Sequence, residues 1–439
     1  MQISETVSTN SKPSKAARAL HEAMGLVRKP LRIAPLISKI VSDGVSLAMS
    51  PRHLYSYSAT KVPSADVLQS LIAWILRAQH VDGGIAAYYS FLTGYSDSYP
   101  EVTGYIIPTL YDFARMTGDA ASISAAERAT GWLYSLQMPS GAFPAGLHNS
   151  TAATQPSVFN TGQILQGLVR AYIETRSPES LRRAEAAGDW LASVQGPDGA
   201  WSGAGAYQGQ AHTYYSMVAW ALAELAAESG ARRHAETADK NIDWVLTHAR
   251  PSGWIEGINL QGHPSYLHFV AYVIQGVLEC GILRKRNDAI AAAERAAWAL
   301  LRKFETHKRL AGTYETDFRA GQKFACPTGN AQMSCVWLRL YEVTRDLRYL
   351  NASLKINELV KQLLPQNSRP ELNGGVAGSY PLWGAYQPMR LISWGAKFFA
   401  DALMLEQRIL HEVENGAVAG VPRLEATAPA RSEASPCAS

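Results

Sequence analysis

Cysteine is rare in this sequence, with four in 439 residues, and no two of them form a Cys-x-x-Cys pair. This excludes the common structural zinc sites and gives no basis for a disulfide framework. Charge of one sign is also lacking, because Lys and Arg exceed Asp and Glu by only four. No basic stripe with interleaved aromatics is present, so nucleic acid is not expected as a partner.

A long apolar run is missing as well. Residues 1–15 are polar, so we expect them to be disordered, and without a secretory signal the cytoplasm is the default location. The most apolar stretch, residues 31–49, is interrupted by Arg32 and Asp43 and does not predict a spanning helix. Residues 16–63 are expected to form a helical strap, with weak membrane-surface contact through residues 31–49 as an alternative.

What the sequence does contain is a repeat of about 55 residues. Five tryptophans, each near the end of an apolar helical stretch, follow one another at intervals of 58, 58, 54 and 54 residues. A Gly-containing turn follows each of them, and then a second apolar segment with helical periodicity. A sixth copy keeps the turn but not the Trp. The repeated unit is therefore predicted to be a helical hairpin. The tryptophans are Trp74, Trp132, Trp190, Trp244 and Trp298.

Six hairpins can form an open solenoid or a closed ring, and the terminal copies favour the ring. A solenoid needs polar outer faces at its ends, whereas the first copy has the apolar run 71–74 and the last has Phe398 and Phe399. We therefore predict an all-α (α/α)6 toroid over residues 64–415. The Trp-bearing helices would form its outer ring and the Gly- and Ala-rich second helices its inner ring. Residues 416–439 are expected to be a disordered tail.

In such a toroid the long loops from outer to inner helices emerge on one face, where a site is expected. Glu101, at the start of the first inner helix, is either a carboxylate favoured by the helix dipole or an acid-base group. The last inner helix is predicted to begin at Met389, and Arg390, just inside it, would pair with Glu101 or bind a substrate carboxylate or phosphate. The candidate catalytic residues are Glu101, Tyr214, His263, Tyr266, His268 and Arg390.

Other loop residues are candidates for substrate binding through hydrogen bonds or stacking on a sugar ring. Many have a structural explanation too, because Asn160 is suited to cap a helix and the aromatics can fill loop cores. His263 and His268 are five residues apart, which does not fit a helical zinc site, so no metal or cofactor is expected. The binding candidates are Tyr99, Asn160, His212, Tyr215, Trp254, Glu256, Glu315, Asp317, Asn330, Trp383, Tyr386 and Gln387.

The Trp and Gly-turn hairpins, with Gln at the end of the outer helices, resemble α,α-toroid enzymes that process carbohydrates. Residues 141–144 with the helix 161–172 are similar to the helical domain of glucuronyl 5-epimerases. The stretch 99–105, Tyr-Pro-Glu-Val-Thr-Gly-Tyr, resembles uncharacterised toroid proteins of bacterial exopolysaccharide and surface-glycan biosynthesis. These resemblances imply a saccharide substrate and a role in surface-polysaccharide metabolism. No catalytic residue is carried over from them.

Four functions follow as hypotheses. The first is an epimerase or lyase that removes the carbon-5 proton of a uronate in a saccharide, which needs a base, an acid and a neutralising group. The second is a glycoside hydrolase in which Glu101 faces Glu256, Glu315 or Asp317. The third is a terpenoid cyclase or prenyltransferase, although these usually carry an Asp-rich motif that is missing here. The fourth is glycan binding without catalysis.

Overall fold

The structure is a computed structural model that describes residues 33–49, 62–148, 155–259, 264–322, 324–365 and 369–415. The expected disordered ends, residues 1–15 and 416–439, and the candidate His263 lie outside these ranges. Within the described residues there are thirteen α-helices and six short strands. None of these helices is long and apolar enough to span a membrane.

An N-terminal helix, α1 (Ile33–Met49), precedes six helical hairpins. Each hairpin joins an outer helix to an inner helix through a loop of 19 to 29 residues, and links of two or three residues lead to the next hairpin. The outer helices are α2 (Ser64–Arg77), α4 (Ala120–Leu136), α6 (Pro178–Ser193), α8 (Arg232–Thr247), α10 (Asn287–His307) and α12 (Leu347–Leu363). The inner helices are α3 (Pro100–Thr117), α5 (Val158–Thr175), α7 (Ser216–Ser229), α9 (Leu267–Leu283), α11 (Pro327–Thr344) and α13 (Ser393–Glu414).

The inner helices form a closed ring. Each packs against the next, and α13 packs against both α2 and α3 of the first hairpin. The loops close at the same place, because β1 (Tyr88–Ser90) pairs antiparallel with β6 (Arg390–Ile392). The predicted (α/α)6 toroid is confirmed.

Two small sheets brace the loops. In the first, β1 lies between β6 and β2 (Gly94–Tyr95). In the second, β4 (Thr313–Glu315) lies between β3 (Ser265–Tyr266) and β5 (Arg319–Ala320). The last inner helix was predicted to begin near Met389, but it begins at Ser393 because β6 is extended to pair with β1.

The repeated Gly turns fasten each hairpin to the next. Gly83 has a φ of +99°, and a side chain there would collide with the backbone of Arg128 on the following outer helix. Gly374, in the sixth turn, lies in the same way against the backbone of Ser70 on the first outer helix. The turn that diverges most in sequence therefore keeps the contact that closes the ring.

The repeated glutamines stabilise the same junctions. The Gln79 side-chain amide donates to the carbonyl of Gly83 in its own turn and to that of Ala125 on the next outer helix, both at 2.9 Å. Gln137 and Gln195 make the corresponding pair of bonds. Buried carbonyls need such donors. The Gln that ends these outer helices is thus explained by the fold, without a role in a site.

Candidate active site

All six inner helices begin on the face that carries the long loops, which we call the loop face. The opposite face, with the short links, is the link face. The positive ends of the inner-helix dipoles converge on the loop face, so it favours negative charge or hydrogen-bond acceptors. Most sequence-predicted candidates lie here, in the loops or in the first turns of the inner helices.

Glu101 is the second residue of α3 and is partly exposed. Its carboxylate accepts a hydrogen bond of 2.5 Å from the Tyr99 hydroxyl. Removal from bulk water raises the pKa of Glu101 to about 7, although the hydrogen bond from Tyr99 acts in the opposite direction. The carboxyl therefore exchanges a proton near neutral pH.

Five tyrosines surround this carboxyl closely enough for its charge to act on them. Burial and the charge of Glu101 both raise their pKa values above the usual value, so their hydroxyls stay protonated. We call Glu101 and these residues the tyrosine cluster. Its tyrosines are Tyr99, Tyr105, Tyr214, Tyr272 and Tyr386.

His268 is the second residue of α9 and adjoins this cluster. Its ring centroid lies 4.3 Å from that of Tyr272 and 5.6 Å from that of Tyr386. Nδ1 lies 2.5 Å from the side-chain oxygen of Gln332, an acceptor, so the hydrogen bond assigns the ring proton to Nδ1. Burial lowers the pKa of His268 to about 4, which leaves a neutral imidazole with Nε2 able to accept a proton.

An aromatic layer lies around the cluster. The ring of Phe159 is 5.1 Å from that of Tyr214 and 5.5 Å from that of Tyr272, while Phe398 is 6.0 Å from Tyr105. Tyr266, the half-buried candidate from β3, lies 5.0 Å from Tyr386. Such rings fix the position of the acid-base groups and provide apolar faces for a sugar ring.

His212 and Tyr215 belong to the wall of this site. The His212 ring stacks on Tyr214 at 5.0 Å, and its burial lowers the pKa of His212. The Tyr215 hydroxyl accepts a hydrogen bond of 2.8 Å from the backbone of Tyr207. Both side chains are buried, so they position Tyr214 from behind.

Asn160 joins the site for a reason other than helix capping. Ser157 is the N-cap of α5, and Asn160 lies inside the helix with its amide donating to the carbonyl of Pro144 at 2.9 Å. Its side chain also hydrogen-bonds with Tyr99. The capping interpretation of Asn160 is wrong, because the loop places Ser157 at the position whose side chain reaches the free N–H groups.

Arg390 lies in β6 on the ring-closure side of the loop face. Its guanidinium donates to the Gln387 side-chain oxygen at 2.9 Å and lies 4.1 Å from the centre of the Tyr88 ring. Both residues lie in the described part of the chain, and Arg390 is not among the groups that shift the pKa of Glu101, whose carboxylate bonds to Tyr99 instead. The proposed pairing across the ring closure is therefore absent, and the site for a substrate anion remains a prediction.

The other predicted carboxylates lie at the rim. Glu256 pairs with Arg250 at 2.6 Å, and Arg250 also lies 3.7 Å from Asp317. Glu315 pairs with Arg319. None of these three carboxylates is among the groups that shift the pKa of Glu101.

Three further candidates differ in the exposure of their side chains. Trp254 is 3% exposed and packs against Phe318 at 5.2 Å, so its ring is not available for stacking on a ligand. Asn330 is buried in the first turn of α11. Trp383, in contrast, is 42% exposed in the sixth loop. No group of three or more His, Cys, Asp or Glu suited to a metal occurs in the described part of the chain.

Three residues of the site were not among the predicted candidates: Tyr105, Tyr272 and Gln332. Tyr105 follows Glu101 by four residues and Tyr272 follows His268 by four, so each lies one turn deeper on the same face of its helix. This spacing of four residues could have indicated both tyrosines from the sequence. Gln332 had no such signal, because its partner His268 is 64 residues away.

No protein-family model matches this sequence, and no curated protein matches it either. Several solved structures are similar in fold. A cellobiose 2-epimerase from Spirochaeta thermophila has a TM-score of 0.65 at 16% identity, over 79% of this chain and 96% of that one. A D-mannose isomerase has a TM-score of 0.65 at 12% identity, over 81% and 100%.

An unsaturated glucuronyl hydrolase from Bacillus sp. GL1 has a TM-score of 0.63 at 14% identity, covering 81% of this chain and 97% of its own. Identities this low establish the toroid fold alone. The predicted resemblance to carbohydrate-active toroids is confirmed at that level, since the similar structures carry the names of a hydrolase, an epimerase and an isomerase.

Proposed function

We propose that this protein is an enzyme that transfers a proton to and from a carbon atom of a saccharide. The observation that carries the proposal is the combination of Glu101, with a pKa of about 7, and neutral His268, which contacts two rings of the tyrosine cluster around Glu101. Titratable groups whose environments separate their pKa values are the usual acid and base of such a reaction.

The preferred substrate class is a uronate within a surface polysaccharide or its precursor. His268 takes the proton from carbon 5, and the electron pair of that C–H bond moves into the uronate carboxyl group. Return of a proton from the opposite face gives the epimer. Alternatively, that electron pair forms a double bond between carbons 4 and 5, the substituent on carbon 4 leaves with the electrons of its C–O bond, and Glu101 protonates the departing oxygen, which gives an unsaturated sugar.

The uronate carboxylate needs a neutralising group, because the carbon acid is otherwise too weak. Arg390 is the candidate, held by Gln387 and stacked on Tyr88. Asn330, buried in the first turn of α11, is a further candidate for this role, and Tyr266 and Tyr386 are candidates for contact with the sugar ring.

A second candidate is 2-epimerisation or isomerisation of a reducing sugar. It uses the same proton transfer, at the carbon beside an aldehyde, and needs no cation. The observation that favours it is that no cation acts on the pKa of Glu101. The names of the similar cellobiose 2-epimerase and D-mannose isomerase agree with this chemistry.

The two other hypotheses have less support. A hydrolase with paired carboxylates needs a second carboxylate opposite Glu101, and the rim carboxylates are held by arginines instead. A terpenoid cyclase usually carries an Asp-rich motif, which the sequence lacks, and Glu101 is the single carboxyl group of the tyrosine cluster. A protein that only binds glycans would not need the shifted pKa values of Glu101 and His268.

The experiment is proton NMR of the purified protein with saccharides in deuterated water. Uronate oligosaccharides should gain deuterium at carbon 5 or show a new vinylic signal, whereas exchange at carbon 2 of mannose or cellobiose would identify the second candidate. The Glu101→Gln variant is the control for contaminating enzymes. Signals of a new reducing end alone, or no change with any saccharide, would contradict proton transfer at carbon.

A further inference from the structure

In helix α1 the polar and apolar side chains are arranged in the opposite way to those of an ordinary surface helix. Its two described charged residues, Lys39 and Asp43, face the protein, and Asp43 is 1% exposed. Three aliphatic residues spaced four apart face solvent: Ile37 is 54% exposed, Val41 56% and Val45 51%. Residues i, i+4 and i+8 lie on one side of a helix, so these three form a single apolar stripe.

The contacts of α1 hold this orientation in place. One Asp43 oxygen accepts the backbone N–H of Leu382 at 2.9 Å, and the other pairs with Lys39. The Lys39 ammonium also lies 5.4 Å from the centre of the Tyr380 ring. Turning the aliphatic stripe inward would break these bonds and expose the loop N–H that Asp43 satisfies. The stripe therefore belongs to the folded state.

The positive charge of the chain is concentrated just before this helix. The first 32 residues contain six Lys and Arg but only two Asp and Glu, so the remaining 407 residues hold 35 of each sign. Arg28, Lys29 and Arg32 immediately precede α1 in the sequence. An apolar helix face that is preceded in the sequence by a basic segment is the combination that binds anionic lipid surfaces.

Trp383 adds a side chain suited to the same surface. It follows Leu382, whose N–H bonds to Asp43, and it is 42% exposed. Tryptophan is enriched at membrane–water interfaces because its ring is apolar and its N–H is polar. The stripe and Trp383 thus come from neighbouring segments of the loop face.

We propose that the outward face of α1 docks on an anionic membrane surface. A second copy of the chain is a poorer occupant, because it would bring the same excess of positive charge. A stable protein interface also buries about 800 Å² on each partner, far more than three half-exposed aliphatic side chains provide. Docking would bring the loop face, where the candidate active site opens, beside the lipid headgroups.

The test is sedimentation of the full chain with vesicles of phosphatidylcholine, with and without phosphatidylglycerol. The native chain should bind the anionic vesicles and be released by salt. Ile37→Gln together with Val41→Gln should lower this binding about tenfold or more, while Ile123→Gln should leave it unchanged. Ile123 is a matched control, since it is 40% exposed on the outer helix α4.

Further variants test the proposal, and several outcomes would contradict it. Arg28→Gln with Lys29→Gln should weaken binding without altering the stripe, and thermal melting checks that each variant folds. Equal binding to both vesicle types, no binding, or no effect of the stripe variant would overturn the proposal. So would a native dimer in light scattering that the stripe variant converts to monomer. Saccharide turnover in solution is an independent measurement, because the stripe lies outside the tyrosine cluster.

Discussion

The two ends of the inner ring each hold a carboxyl group with a pKa near 7, in opposite surroundings. At the loop face, Glu101 is bonded to Tyr99, and burial sets its pKa. At the link face, burial also raises the pKa of Glu224 to about 7, but the charges of Arg170 and Lys397 lower it and that of Glu279 raises it. One end places its acid among neutral groups, whereas the other places its acid among charged groups.

A network of ion pairs lies in the link-face halves of the inner helices. Arg170 pairs with Asp112 at 2.5 Å, and Arg339 pairs with Glu279 at 2.7 Å. Arg115, in the last turn of α3, pairs with Glu174 and complements the negative end of the helix dipole. Carboxylates held in this way contribute to stability and are not free to exchange protons with a ligand. This difference supports the proposal that the chemistry takes place at the loop face.

The aromatic layer separates the two ends. Lys397 pairs with Asp401 at 2.6 Å, and its ammonium lies 4.2 Å from the centre of the Phe398 ring. Phe398 in turn contacts Tyr105 of the tyrosine cluster. The Lys397 ammonium also lies 5.7 Å from the centre of the Tyr105 ring, but Lys397 is not among the groups that shift the pKa of Glu101.

The strongest test of this contrast is a pair of identical substitutions at the two ends. Glu101→Gln should lower kcat by about a thousandfold, because general acid–base groups contribute roughly that much. Glu224→Gln should leave kcat within about threefold of the native value, since in the proposed mechanism it touches no substrate. Turnover of the saccharide identified by NMR measures both. Equal losses would break the assignment of chemistry to the loop face.

The ion-pair network should dominate stability. Arg339→Met leaves buried Glu279 without its partner, and we expect a loss of about 3 kcal/mol in the free energy of unfolding. Replacing both residues by Met should restore most of it, because the unpaired charge is then gone. Chemical denaturation measures the loss, and kcat per folded molecule should not change. A single variant as stable as the double would contradict the argument.

The pH dependence sharpens the comparison further. The base must be neutral and the acid protonated, so kcat/KM should rise as pH passes the pKa of His268, about 4, and fall above that of Glu101, about 7. Gln332→Glu places a carboxylate beside Nδ1, which favours imidazolium and should move the acidic limb upward by about one pH unit. Gln332→Met, without charge, should lower the rate but not move the limb upward.

The smallest predicted effect concerns Arg390. Gln387→Ala removes the acceptor of its 2.9 Å hydrogen bond, so the guanidinium becomes less fixed, and KM for a uronate should rise a few-fold with kcat unchanged. KM for a neutral reducing sugar should stay the same. If both values of KM rise equally, Arg390 does not recognise a carboxylate.

Much of the fold could be predicted because it repeats locally. The tryptophan period and the Gly turns indicated hairpins, and the Gln that follows three of the five tryptophans turned out to bond its own turn and the next outer helix. The start of α13 could not be predicted, because β6 depends on pairing with β1 about 300 residues away. Local patterns do not report such long-range pairing.

The site could be predicted only in part. Glu101 and His268 were found because each stands in the first turn of an inner helix, where a loop residue meets the ring axis. Trp254 is a counterexample, since its loop position suggested access and the fold buried it against Phe318. Gln332 was left out of the candidates although it sets the tautomer of His268.

By itself, the sequence determined the hairpin unit, the number of copies and the ring they close, because these follow from periodicity and turn chemistry within short segments. Only the tertiary structure decided which polar groups meet. Burial and the proximity of helices distant in sequence give Glu101 and Glu224 similar pKa values but different neighbours. The physical reason is that a pKa and a charge partner depend on surroundings in space, which the order of residues along the chain does not specify.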